Sequence, residues 1–328
     1  MDIAAQNESG TGTTESKTYS FSFQGSGGTL FGIQIVNLLL IIITLGIYYF
    51  WAKARVRSYL WSQIEFDGER FAYHGTGKET LLGWLKAVAI FGIPIMVCQK
   101  VPMLLGAPKA VIIIGIILTY LLIAVFVPVA TVGSRRYRMS RSSFRGIRFS
   151  FRGKWPEYAK LFLAGSLLSM VTLGFYSPYF DMRRQKFFMG KSYFGNRNFG
   201  FDGKGKDLLG SYALAFFLAV PTLFVSLLWY GYKKTKYIWN HITFDGARFQ
   251  STITFRGLMN LYLGNGLILI FTLGFGAPWT RVRTLHYFLS HLTLEGCLDL
   301  STIVQEAQES TAFGEEIGDF MAMDFDLG

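Results

Sequence analysis

The feature that most constrains this chain is a series of long apolar runs separated by short basic, aromatic stretches. The runs cover residues 30–51, 81–97, 110–133, 161–180, 208–232 and 261–279. A helix needs roughly 20 apolar residues to cross the ~30 Å hydrocarbon core of a bilayer. All the runs but 81–97 reach that length, and 81–97 carries Lys86 and Pro94. The core helices of a soluble protein would be wrapped in amphipathic helices, and few stretches here have that pattern. The runs therefore predict an all-α polytopic membrane protein of about six transmembrane helices, with five or seven as alternatives.

The runs also repeat. Thr44-Leu45-Gly46 recurs as Thr172-Leu173-Gly174 and Thr272-Leu273-Gly274, followed by Phe50, Pro178 and Pro278 four residues beyond each glycine. Gly46, Gly174, Gly274 and the two prolines make a repeated helix-break motif. Aligning the copies superimposes Arg55, Arg183 and Arg283, and then Tyr59, Phe187 and Tyr287. Two shorter copies add Tyr137 and Tyr237, so the last four aromatic positions fall fifty residues apart. Internal similarity at a fixed period is the signature of a repeat architecture. Each unit ends in a segment such as Phe66-Asp67-Gly68-Glu69-Arg70-Phe71, where Asp-Gly between aromatic residues predicts a short β-hairpin. Such hairpins are marginal alone, and we expect them to pair across units or to lie against the bilayer interface.

Composition narrows the partners. The net charge is +11, with 51% hydrophobic, 17% aromatic and 16% charged residues. The cations sit beside apolar runs and not on a polar domain, so the anionic head groups of membrane lipids are the expected partner and nucleic acid is not. No motif names a protein partner, and a homo-oligomer is a further option. Residues 1–18 read as a polar disordered tail, without the charged start and apolar core of a cleaved signal peptide. Residues 301–328 read as an acidic disordered tail that could dock on basic loops. The repeated membrane domain lies between them, over 19–300. Cys98 and Cys297 cannot form a disulfide framework.

Simple alternation of spans produces a conflict. One crossing per unit would turn neighbouring units over, yet every unit carries the same basic signal. Either some runs are re-entrant at the Thr-Leu-Gly breaks, or the units are inverted repeats.

The blocks at 44–55 (TLGIYYFWAKAR) and 66–77 (FDGERFAYHGTG) resemble the YjgN family of bacterial inner-membrane proteins. The resemblance extends over roughly residues 19–300. Phe50 stands where family members often have Pro, while Pro178 and Pro278 fit. The resemblance implies a multi-pass place in the bacterial inner membrane, and it supplies no catalytic residue.

The chemistry legible in the sequence lies in arginines. Arg55, Arg57, Arg135, Arg136, Arg183, Arg184, Arg281 and Arg283 flank the runs and are candidate contacts for an anion or a lipid phosphate. His74, His241, His286 and His291 have no partners at metal-ligand spacing, so neither metal nor cofactor is expected. No nucleophile elbow or phosphate-binding loop is present, and the chain is not read as an enzyme. The favoured reading is a transporter or channel-like protein for a small anionic solute. The alternative is a non-transporting envelope scaffold that binds lipids or partner membrane proteins.

Overall fold

The computed structural model describes residues 17–305, and the two tails read from the sequence fall largely outside them. The all-α expectation is corrected: the fold is built on a closed, ten-stranded antiparallel β-barrel. The chain opens with β1 (Lys17–Phe23), leaves the barrel through α1 (Gly27–Ile43) and returns through α2 (Tyr49–Ser62) to β2 (Ile64–Phe66) and β3 (Glu69–Tyr73). The second excursion is longer: α3 (Gly77–Ala87), a π turn (Val88–Gly92), α4 (Ile93–Leu104) and α5 (Lys109–Ser140), which returns to β4 (Ser142–Phe144) and β5 (Ile147–Phe151). Three short excursions follow. Helices α6 (Trp155–Val171) and α7 (Ser177–Gly190) lead to β6 (Ser192–Phe194) and β7 (Arg197–Phe201). Helices α8 (Gly205–Phe217) and α9 (Val225–Asn240) lead to β8 (Ile242–Phe244) and β9 (Ala247–Ser251), and α10 (Phe255–Phe271) and α11 (Ala277–Ser290) lead to β10 (Leu292–Gly296).

The six-span count fails for a local reason. Four of the apolar runs turn back partway along, so their apparent length includes a reversal. Leu45 and Gly46 have φ of 51° and 94°, Leu173 and Gly174 49° and 93°, and Leu273 and Gly274 51° and 89°. The 17 residues of α1, α6 or α10 extend only ~25 Å at ~1.5 Å per residue. Two helices alone, among the described residues, are long and apolar enough to cross a bilayer: Gly77–Leu104 and Lys109–Ser140, of 28 and 32 residues. Pro94 does not end the first of these. A π turn precedes it, the usual accommodation for a missing backbone donor.

The turn satisfies its own backbone. Thr44 N donates to Leu40 O, Leu45 N to Ile42 O, Gly46 N to Ile41 O, Ile47 N to Thr44 O and Tyr49 N to Gly46 O. The remaining donor, Tyr48 N, is taken by Thr44 Oγ1 at 2.9 Å, and that hydroxyl donates to Leu40 O at 2.7 Å. The same set recurs at Thr172 and Thr272. It recurs a fourth time at Thr222-Leu223-Phe224, where Phe224 takes the left-handed position with φ of 66°. An irregular turn with every N–H paired can sit in an apolar medium where an open loop could not. Its outer side chain is apolar and bare: Leu45, Leu173, Leu223 and Leu273 are 93%, 80%, 85% and 88% exposed.

The barrel is assembled across units. Asp67-Gly68, Arg145-Gly146 and Asp245-Gly246 form two-residue turns with both φ positive, as tight hairpins require. Phenylalanines meet at four of the five junctions between neighbouring hairpins. Phe21 pairs with Phe66, Phe71 with Phe144, Phe149 with Phe194 and Phe199 with Phe244, with ring centroids 4.6–4.8 Å apart. The fifth junction pairs Phe249 with Leu294. Aromatic pairs of this kind contribute roughly 0.5–1.5 kcal/mol each beyond their buried area. β1 closes the ring by pairing with β10 on one side and β2 on the other.

Candidate functional site

The fifty-residue aromatic register has a structural purpose. Tyr59 OH accepts from Ser26 N at 2.9 Å and donates to Ser26 O at 3.2 Å, locking the start of α1 against the end of α2. Tyr237 clasps Lys204 N and O in the same way at 2.8 and 3.3 Å, and Tyr287 clasps Thr254 N and O at 3.4 and 3.3 Å. In the second unit Tyr137 OH donates to Glu79 at 3.1 Å, and Glu79 also takes Arg141 at 2.6 Å. Phe187 cannot make the clasp and instead packs its ring against Tyr158, with centroids 5.5 Å apart.

Beside these clasps, on the helix side of the barrel, lies a cavity of about 1260 Å³ between α1, α2 and α11. Its wall is mostly apolar, but Lys53, Arg57, Arg138 and Arg281 reach into it, and among the described residues no carboxylate lines it. Lys53 and Arg281 hold equivalent places two residues before the aligned Arg55 and Arg283. Arg57 donates to Tyr73 OH at 3.3 Å and lies over its ring. Asn37, buried on α1, donates to Ala52 O at 3.4 Å and leaves its Oδ1 without a partner.

Beneath this cavity the barrel encloses a second space of about 490 Å³, lined by the phenylalanine pairs. Trp61, Ile64 and Arg138 border both, so the two spaces meet there. Arg135, one helical turn before Arg138, also faces the lumen, donates to Ser192 Oγ at 3.2 Å and lies over the Phe151 and Phe188 rings. Its Nε is buried without a hydrogen-bond partner. Among the described residues no carboxylate lines the lumen either.

The eight arginines singled out from the sequence are dispersed. Arg57 and Arg281 come together in the upper cavity and Arg135 enters the lumen. Arg136 donates to Gly153 O at 3.0 Å, Arg183 lies over the Tyr176 ring, and Arg184 faces Asp181 at 3.8 Å. Asp181 in turn receives Lys234 at 2.6 Å. Arg283 packs by Gly264, and Arg55 lines neither space. Sequence reasoning passed over Lys53 and Arg138 because neither is part of an aligned arginine pair. It also missed the turn at Thr222, whose only signal is the fifty-residue step from Thr172-Leu173 and to Thr272-Leu273. Among the described residues no group of His, Cys, Asp and Glu could hold a metal ion.

The chain belongs to the family described as bacterial protein of unknown function (DUF898), which matches residues 18–234 and 212–320. It is 36% identical over 143 residues to the inner membrane protein YjgN of Escherichia coli O157:H7, covering 42% of this chain and 33% of that protein. The YjgN protein of Escherichia coli K12 is 36% identical over 135 residues, 41% of this chain and 31% of the relative, and that of Salmonella typhimurium LT2 is 31% identical over 137 residues, 42% and 32%. The matched stretch thus spans about a third of the length of these relatives. Their shared name supports a bacterial inner-membrane location. No solved structure matches the chain.

Proposed function

For a chain of this family, we propose an inner-membrane protein that binds anionic lipid head groups in the basic cavity between its first and last helix hairpins. The observation that carries this reading is the cavity's composition: Lys53, Arg57, Arg138 and Arg281 gathered in a mostly apolar wall. Several cations gathered at one apolar surface suit a phosphate, which offers each of them charge and hydrogen-bond acceptors together. The bare leucines of the hairpin turns support immersion of the neighbouring surface in hydrocarbon, where lipids are the ligands at hand.

The same reading places the chain in the membrane as a multi-pass protein, crossing through α3–α4 and α5 while the four short hairpins enter and leave by one face. At ~1.5 Å per residue, 28 and 32 residues reach ~42 and ~48 Å, enough for a bilayer with tilt. Only Lys100 and Lys109 then lie at the far end, Lys86 lies partway along the first crossing, and the barrel side carries most of the other basic residues of the described chain. The positive-inside rule makes the barrel side cytoplasmic. This arrangement supports the re-entrant resolution of the topological conflict, since each hairpin returns to the barrel end it left.

Quantifying the phospholipids that copurify with the full chain in non-ionic detergent tests the function. Enrichment of anionic lipid over the host membrane, lost in an Arg57→Gln/Arg281→Gln variant, is the expected result. Retention of lipid at the membrane's own composition would refute it. The cations also favour one second reading, a path for a small anionic solute. Flux of such anions into proteoliposomes, sensitive to the same substitutions, would establish that reading in its place.

A further inference from the structure

The barrel lumen is not needed for head-group binding, and its construction calls for an occupant. Protein interiors pack like organic crystals and tolerate few voids larger than a water molecule. Here mostly apolar side chains, many of them aromatic, line a space of about 490 Å³ that is open at the junction with the upper cavity, a volume within the range of small-molecule pockets. A wall of Phe, Leu and Ile offers water too few partners to hold it in place. Above the phenylalanine pairs stands a layer of Trp61, Met139, Met189, Trp239 and Leu289. Among the described residues, the charged groups lining the lumen are Arg138, at the junction with the upper cavity, and Arg135, whose Nε is buried without a hydrogen-bond partner. The lower end is stopped by the segment after β10: Leu298 and Leu300 line the lumen and Ile303 is buried. That stopper is tied down by Tyr19 OH donating to Leu298 O at 3.1 Å and Arg148 N donating to Gln305 Oε1 at 2.7 Å. The space is thus apolar, blind at one end and cationic at the other.

We propose that the lumen binds the hydrocarbon chain of a single-chain anionic amphiphile, with its carboxylate or phosphate held by Arg138 and Arg135 at the mouth. This deepens the head-group reading of the adjoining cavity and rests on it for the ligand's route of entry. A soluble anion would satisfy the arginines but leave the aromatic lining empty. A neutral hydrocarbon would fill the lining and offer nothing to the guanidinium groups of Arg135 and Arg138, which no carboxylate among the described lining residues meets. A fatty acid and a lysophospholipid share the chemistry that satisfies both ends.

Trp61 and Trp239 provide the readout, because a bromine atom in the lumen would quench them. The full chain in non-ionic detergent would be titrated with 16-bromohexadecanoate and, separately, with its methyl ester. The expected result is saturable quenching by the acid, no saturation by the ester, and loss of the saturable component in Trp61→Phe/Trp239→Phe. Arg138→Gln, checked for folding by circular dichroism and size exclusion, should weaken the acid's binding about tenfold, as loss of one charge-assisted hydrogen bond implies. Competition by hexadecanoate or by lysophosphatidylglycerol identifies which amphiphile fits better, and competition by inorganic phosphate at similar concentration would contradict a role for the chain. Undiminished quenching in the double tryptophan variant would place the probe on exterior tryptophans and overturn the proposal, as would equal binding of acid and ester. Neither outcome touches copurification of lipid at Arg57 and Arg281, so the two readings can fail independently.

Discussion

Asn37 and Asn265 hold the same place in two different hairpins, each seven residues before the threonine of the turn. The Nδ2 of each donates to the backbone carbonyl of the residue 15 positions on, Ala52 at 3.4 Å and Thr280 at 3.5 Å. Asn265 also donates to Thr284 Oγ1 at 3.0 Å, a bond Asn37 lacks. Gly165 and Ala215 occupy the same register in the other two short hairpins. There the helices are joined by packing of Phe180 against Gly165, and by Ser226 Oγ donating to Ala215 O at 2.8 Å. Four hairpins of one design therefore use three different fasteners at one point.

Replacing these asparagines should reveal their difference. Asn37→Ala is expected to lower stability by about 0.6 kcal/mol, the average for hydrogen bonds between membrane helices, and Asn265→Ala by more. Unfolding by sodium dodecyl sulfate titration in mixed micelles measures both. Equal losses would mean that the Thr284 bond contributes nothing.

The turns offer a sharper perturbation. Thr272→Val removes the hydroxyl that accepts Gly276 N at 2.7 Å, leaving that N–H without its partner. The cost expected is about 1–3 kcal/mol, read as an earlier unfolding midpoint. At the fourth turn the sign reverses. Phe224 sits at φ of 66° with its side chain 60% exposed, so Phe224→Gly should relieve backbone strain and stabilise by roughly 1 kcal/mol.

The tyrosine clasps are predicted to hold the starts of the outgoing helices. Tyr237→Phe deletes the bonds to Lys204 N and O and the contact with Asp207. Amide exchange over the first turn of α8 should accelerate about fivefold, equivalent to roughly 1 kcal/mol, while α10 is unaffected. Acceleration spread evenly over the helices would instead indicate general loosening.

Acid should weaken one seam of the barrel. The paired hydrogen bonds from Arg248 to Asp202, 2.7 and 3.4 Å, hold the Asp202 carboxyl below its usual range. A depressed folded-state value means that the carboxylate stabilises the fold at neutral pH. That contribution shrinks as pH drops below about 4 and is gone once the folded-state group is protonated. Because the pair is largely exposed, the effect should stay under about 1 kcal/mol. Asp202→Asn should flatten the corresponding part of the stability profile between about pH 5 and about pH 2 without shifting the rest.

Topology is open to a direct check. Reporter fusions after residues 68, 146, 196 and 246 should all register as cytoplasmic, and a fusion after 106 as periplasmic. Alternation among the first four would contradict the single-sided barrel.

Much of this fold was legible because some residues have one chemical use. Asp67-Gly68 between aromatic residues announces a hairpin, and Gly46 after Thr44-Leu45 announces a break in helical backbone. The tyrosine spacing was visible as a period, although its purpose, a hydroxyl that caps a helix 33 residues earlier, depends on contacts that no local pattern encodes. The span count erred because hydropathy is blind to direction: Leu45 is as apolar in a reversal as in a crossing. Barrel closure was also hidden, since Phe71 finds Phe144 across an intervening pair of long helices. The cavity and lumen emerge only from that closure, which explains why Arg138 drew no notice while Arg183 and Arg283 did.

The pairing of β1 with β10, Tyr19 opposite Leu294, has a consequence for how the molecule is made. On the ribosome the barrel stays an open arc until its last strand emerges, with a raw strand edge at either end, and such edges invite pairing with other chains. If the helix hairpins enter the membrane as proposed, they would keep that arc fixed in orientation and hold its two edges within reach of one another. The bilayer then works as an assembly jig, and a nascent chain stopped before residue 292 is the species from which aggregates should grow.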